Sequence, residues 1–251
     1  MKTSILVLLF PVLLGLNRDL FAAELTVHAA ASLSDVLKEI ATAYEKESSD
    51  KIQLNFGASS ILERQIEEGA PGDLFLSADE AKMDALDKKA LLTPGTRRAL
   101  LSNSLVIVVR RDSRLVPHSA ADLTLPAYRK LALAEPHTVP AGIYAREYLM
   151  KLKIWDALES RIVPTESVRA ALAAVESGNV EAGFVYKTDA LISPRLKVAV
   201  EIPAADAPKI SYPVAVLKSS RDPARAQRFE EYLASPAARV IFIKFGFAVE
   251  K

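Results

Sequence analysis

Short apolar runs take turns with stretches of helical period along this chain. That alternation constrains the fold more than any other feature. "LTVHA" (Leu25–Ala29) precedes Leu33, Val36, Leu37, Ile40, Ala41 and Tyr44, which share one face of a 3.6-residue period. "IQLNF" (Ile52–Phe56) precedes "GASSILERQIEEG", where Leu62 and Ile66 face inward and Gly69 marks a stop. "DLFLSAD" leads into a helix near Glu80–Lys88, and "LVIVV" (Leu105–Val109) has the unbroken apolarity of a strand covered on both faces. The second half repeats the theme. "LALAEP", "AGFVY" and "YPVAVL" (Tyr212–Leu217) read as strands, and "VPAGIYAREYLMKL" and "TESVRAALAAVESG" as helices, the latter ending at Gly178. Two helical segments, Pro223–Ala234 and Pro236–Phe245, close the chain. Strands alternating with helices predict an α/β fold with mostly parallel sheets. With no fixed-period repeat and no long linker, two lobes would have to share the chain by crossing over.

The first 23 residues predict export. Lys2 is a short positive start, and Ile5–Leu16 is an apolar run too short to span a bilayer. Ala22 and Ala23 offer a cleavage site, so the protein is expected in the periplasm. Removing Lys2, Arg18 and Asp19 from 32 basic and 31 acidic residues leaves 30 of each. That balance argues against nucleic acid as a partner. There is no cysteine, which excludes disulfides, thiolate metal sites and a lipid-anchored cysteine.

Enzyme signatures are missing. The sequence has no G-x-G-x-x-G, Walker A, H-E-x-x-H or G-x-S-x-G. His28, His118 and His137 stand in separate segments without metal-ligand spacing. A binding protein that is not an enzyme is therefore expected, with no cofactor and no side-chain-coordinated metal. What recurs is a strand, a turn of small or hydroxyl residues, and a helix start. Ser32 follows three alanines, and Ser59 and Ser60 follow Gly57 and Ala58. Ala141 and Gly142 follow Pro140, and Thr165 opens the segment carrying Val168. Ligands of open α/β sheets lie against such turns. Helix starts there present free N–H groups and partial positive charge, which suit an oxyanion. Ordinary N-capping explains any one serine, and repetition in both halves favours a ligand. Ser32-Leu33-Ser34-Asp35 reads as a capping box with Asp35 turned back on the chain.

The chain resembles the periplasmic molybdate-binding proteins of ABC-type molybdate importers. The resemblance rests on "AAASL", "ASSILERQIEEGAPGDLFLSAD", "NSLVIV", "VPAGIYA", "VRAALAAVESG", "GFVY", "YPVAV" and "KFGF", in family order from Ala29 to Phe247. It implies a two-lobed type II periplasmic binding protein fold with two crossover segments. One lobe would be residues 24–104 with 214–251 and the other 105–213, with crossovers near Asn103–Ser104 and Tyr212–Pro213. It implies capture of molybdate, and of tungstate, by a monomer that hands it to the membrane permease and ATPase subunits of the importer. The ligand contacts carry over to Ser32 and Ser59 from the first lobe and to Ala141, Val168 and Tyr186 from the second. Ser60 is the alternative to Ser59, and Lys187 could add a cation if it turned inward. Rival readings are a receptor for sulfate, phosphate or another tetrahedral oxyanion, a regulator of related fold, and a phosphate-ester hydrolase.

Overall fold

The computed structural model describes residues 24–203 and 205–250, so the expected export segment lies outside the described residues. In the first part β1 (Glu24–Ala30), β2 (Lys51–Gly57), β3 (Leu74–Leu76) and β4 (Arg98–Ser102) are separated by α1 (Ser34–Glu47), α2 (Ser59–Glu67) and α3 (Glu80–Lys88). The middle part runs β5 (Leu105–Arg110), β6 (Leu131–Ala134), α4 (Pro140–Lys151), α5 (Trp155–Leu158), β7 (Ile162–Thr165), α6 (Val168–Glu176), β8 (Ala182–Tyr186), α7 (Lys187–Ile192) and β9 (Leu196–Glu201). The chain closes with β10 (Ser211–Val216), α8 (Pro223–Leu233), α9 (Pro236–Lys244) and β11 (Ala248–Val249).

Two sheets result, one ordered β11-β4-β10-β3-β1-β2 and the other β7-β6-β8-β5-β9. Setting β11 aside, the orders are equivalent. Each lobe inserts one strand delivered from the other lobe, β10 or β5, between its own third and fourth strands. The sheets are mixed, which corrects the expectation of mostly parallel pairing. β1 runs parallel to β2 and β3, and β6 to β7 and β8. β10 runs antiparallel to β3 and β4, β5 to β8 and β9, and β11 to β4. The cause is the crossover itself. A chain that leaves one lobe at the carboxyl ends of its strands enters the next lobe at the same edge, and so runs against its neighbours.

The first crossover is short. Asn103 and Ser104 alone separate β4 from β5. The return runs through residues 202–210, and Tyr212 and Pro213 lie inside β10, at a register shift against β4. Burial follows the sequence periods. Leu105 to Val109 are each at most 1% exposed, as a strand covered on both faces requires. α1 buries Val36, Leu37, Ile40, Ala41 and Tyr44, and α6 buries Val168, Ala171, Leu172 and Val175. Full burial of each larger aliphatic among them contributes about 1.5–3 kcal/mol. α2 and α6 are each followed within two residues by a glycine in the left-handed region, Gly69 (φ +92°) and Gly178 (φ +76°), where most side chains would be strained. Among the described residues no helix is long and apolar enough to cross a membrane.

Candidate functional site

The carboxyl edges of the two sheets face each other, and a small cavity of about 10 Å³ lies between them. All five residues picked out from the sequence line it: Ser32, Ser59, Ala141, Val168 and Tyr186. Small residues make up much of the remaining wall, including Ala30, Ala31, Gly57, Ala58 and Ala78. Neither lysine nor arginine is part of the lining. Ser60 sits outside, in a larger open groove of about 610 Å³ walled by charged side chains of α2 such as Glu63, Arg64 and Glu67.

Each position is set by its element. Ala141 is the second residue of α4 and Val168 the first of α6, so their N–H groups lack intrahelical acceptors. Pro140 begins α4 and has no N–H, which leaves Ala141 to present the first one. Gly142 lets this turn pack on the end of β6, since a Cβ there would lie 2.1 Å from the Ala134 carbonyl oxygen. Ser59 opens α2, and its Oγ accepts the Ala78 N–H at 3.0 Å. Ser32 lies in a 3₁₀ turn, Ala31–Leu33, that runs straight into α1. Its Oγ is 3.0 Å from the Tyr212 hydroxyl. Tyr186 ends β8, is 1% exposed, and its hydroxyl has no partner among the described residues.

The structure corrects two local readings, the capping box at Ser32 and the helix start at Thr165. Ser32 and Asp35 form no capping box, because the 3₁₀ turn moves the start of α1 to Ser34. Asp35 instead pairs with Arg169 of the other lobe at 2.8 Å. Thr165 does not open a helix. It ends β7, and Ser167 caps α6 by accepting the Ala170 N–H at 3.2 Å. Lys187 turns away from the cavity to Glu201, 2.9 Å off. The histidines are spectators. His28 is buried between Pro71 and Asn55, with its Nε2 donating to the Pro71 carbonyl oxygen and its Nδ1 accepting from Asn55. His118 and His137 are exposed. Among the described residues no group of His, Asp or Glu could hold a metal ion.

The site is electrically quiet by construction. Arg169 follows Val168 directly, but its guanidinium is held by Asp35 and by Asp189 (2.6 Å), and it donates to the Ser32 carbonyl oxygen at 3.3 Å. Burial raises the Asp189 carboxyl to about 6, against the pull of Arg169. Burial also pushes the phenols of Tyr186, Tyr212 and Tyr144 above their ordinary value, so all three remain protonated and able to donate. Tyr144 of α4 donates to the Ala78 carbonyl oxygen at 3.2 Å, a further bond between the lobes. Sequence reasoning missed Ser167 in the cavity wall, Tyr212 behind Ser32 and Arg169 across the cleft. Only Ser167 had a local signal, as a serine just before a periodic run.

A two-lobed α/β body with a small uncharged donor cavity in its cleft defines an extracellular solute receptor. The family model described as bacterial extracellular solute-binding protein matches residues 25–248, and the chain belongs to that family. It is 43% identical over 233 residues to the molybdate-binding protein ModA of Escherichia coli (strain K12), covering 90% of each chain. The substrate-binding domain of a putative molybdenum ABC transporter from Clostridium difficile superposes with a TM-score of 0.71 at 39% identity, covering 91% of this chain and 100% of that one. The periplasmic molybdate-binding protein of Azotobacter vinelandii superposes with a TM-score of 0.82 at 26% identity, covering 90% and 100%.

Proposed function

We propose that this protein captures molybdate, and tungstate as well, in the cavity between its lobes and delivers it to an ABC-type importer from the periplasmic side of the membrane. The observation that carries the reading is the convergence of uncharged donors from both lobes on one cavity free of lysine and arginine. The moving bodies are residues 24–104 with the chain from Ser211 onward, and the stretch between them. The receptor acts as a monomer, and its partners are the permease and ATPase subunits of the importer.

A neutral cage suits a dianion that must later be given up. Hydroxyls of Ser32, Ser59 and Tyr186 and N–H groups of Ala141 and Val168 supply charge-assisted bonds of about 1.5–3 kcal/mol each. Each aligned helix start adds roughly 0.3–1 kcal/mol, rising to about 2 where partly buried. Together these offset the desolvation of the anion. A buried arginine would add attraction, but its own desolvation costs several kcal/mol and it would hold the anion against release. Donors also select. Hydrogen phosphate carries a proton that a cage of donors leaves unpaired, and sulfate is too small for all the donors to reach.

A thermal-shift panel on the mature chain tests the reading. Molybdate and tungstate near a thousand times Kd should raise the unfolding midpoint by on the order of ten degrees. Sulfate and phosphate should leave it in place. Stabilisation by sulfate or phosphate alone would reassign the site to another tetrahedral oxyanion, and no response to any of the four would overturn the proposal.

A further inference from the structure

We propose that the hinge fixes the direction of the Ser32 hydroxyl, which makes Asn103 and Tyr212 positioning residues for anion specificity. The inference rests on the reading that the cavity holds a tetrahedral oxyanion.

At the first crossover the Ser104 N–H donates to Asn103 Oδ1 at 2.8 Å. That bond identifies the amide oxygen and so settles where the amide nitrogen points. Nδ2 faces Thr188 Oγ1 at 2.9 Å and the Tyr212 hydroxyl oxygen at 3.3 Å. An amide nitrogen only donates, so the Tyr212 oxygen accepts from it. The phenol proton must then go elsewhere. Among the described residues its one acceptor is Ser32 Oγ, 3.0 Å away. Tyr212 and Ser32 are 1% and 3% exposed, so bulk water does not offer another. The Tyr212 ring is held edge-on by Tyr186 and Phe247, with centroids 5.9 and 5.6 Å apart, and its hydroxyl stays where it is.

The chain of donation therefore runs from Asn103 to Tyr212 to Ser32. Ser32 Oγ is occupied as an acceptor, and its own proton is left for the cavity. In the reverse polarity the phenol proton would be buried without a partner. Ser59 is set the same way by a backbone group, because its Oγ accepts the Ala78 N–H. Both serine hydroxyls thus have one lone pair engaged and their protons free for the cavity. A guest that must itself donate a proton meets, at each, a hydroxyl proton aimed at it and an oxygen already accepting one bond. At Ser59 no side chain chooses the polarity; at Ser32 two do, and they can be changed.

Asn103→Asp is the test. The carboxylate keeps an oxygen for the Ser104 N–H but replaces the donor with an acceptor. Tyr212 then donates to Asp, accepts from Ser32, and turns the serine into an acceptor for the guest. The added charge repels molybdate and hydrogen phosphate alike, since both are dianions above the second phosphate pKa. The informative readout is the ratio of their affinities, measured by calorimetry with phosphate competing against molybdate. We expect that ratio to shift toward hydrogen phosphate by about tenfold or more, the worth of one hydrogen bond. Tyr212→Phe, checked for an unchanged fold by thermal unfolding, should shift it in the same direction by less. Equal loss for both anions in Asn103→Asp, or an unchanged ratio in a folded Tyr212→Phe, overturns the inference. Failure of the unaltered chain to bind molybdate would instead bring down the site reading beneath it.

Discussion

Tyr186 offers its guest a hydroxyl that no other described residue engages. Its hydroxyl is buried, faces the cavity and has no partner among the described residues. Leaving such a group unpaired costs about 1–3 kcal/mol. Tyr186→Phe should therefore raise the unfolding midpoint of the ligand-free chain or leave it unchanged, while weakening molybdate binding by roughly 10- to 150-fold. A calorimetric titration beside a ligand-free melt reads both, and full affinity in the variant would remove Tyr186 from the site. At this scale the sequence showed which residue types sit in the turns but not which way they face. Ser32 looked like a cap because its neighbours in the chain allow one, yet its partner Tyr212 is 180 residues away. Asp35 was misread for the same reason. A local capping box competes with an arginine brought in by the fold, and the arginine holds the carboxylate.

Among elements, the turn leading into α4 shows how a helix start is aimed. Glu135 accepts from the Thr138 hydroxyl at 2.6 Å, from the Thr138 N–H at 2.7 Å and from the His137 N–H at 3.1 Å. Burial alone would raise its pKa. The bonds from Thr138 and His137 outweigh that and hold it below the ordinary 4.5. A carboxyl depressed in the folded state contributes stability above the unfolded pKa and loses it as pH falls through the folded one. Glu135→Gln should thus destabilise the chain by about 1–2 kcal/mol near neutral pH. The gap from the unaltered protein should close as the pH drops below that of an ordinary glutamate. Melts of both chains from neutral pH into the acid range check this, and a gap independent of pH would refute it. The long periodic elements were legible because their apolar stripes are what the core buries. β4, β7 and β9 were not. They carry exposed or half-exposed positions and owe their place to partners across the sheet.

For the whole molecule, Arg169 ties the lobes together. From α6 it reaches Asp35 and the Ser32 carbonyl oxygen on the other lobe, and it is anchored at home by Asp189. The Asp35 side chain is 41% exposed, so the pair is screened and modest. Asp35→Asn should speed molybdate dissociation by roughly two- to tenfold and leave association unchanged. The difference should fade at high salt. Stopped-flow traces that match those of the unaltered chain would show that closure does not lean on this pair. The two-lobed plan could be inferred from strand–helix alternation only in outline. The insertion of β5 and β10 into the middle of each other's sheets is a property of the closed chain path, which no local window contains.

The crossovers are unequal: two residues join β4 to β5, while nine separate β9 from β10. A two-residue tie rooted in strands at both ends would leave the lobes almost no room to slide, so any relative travel would be a swing about Asn103. The longer tie supplies the slack that lets that swing carry some twist. Parting the jaws would therefore open the far rim widely while scarcely disturbing the floor nearest the pivot, and the guest would leave by the side opposite Asn103.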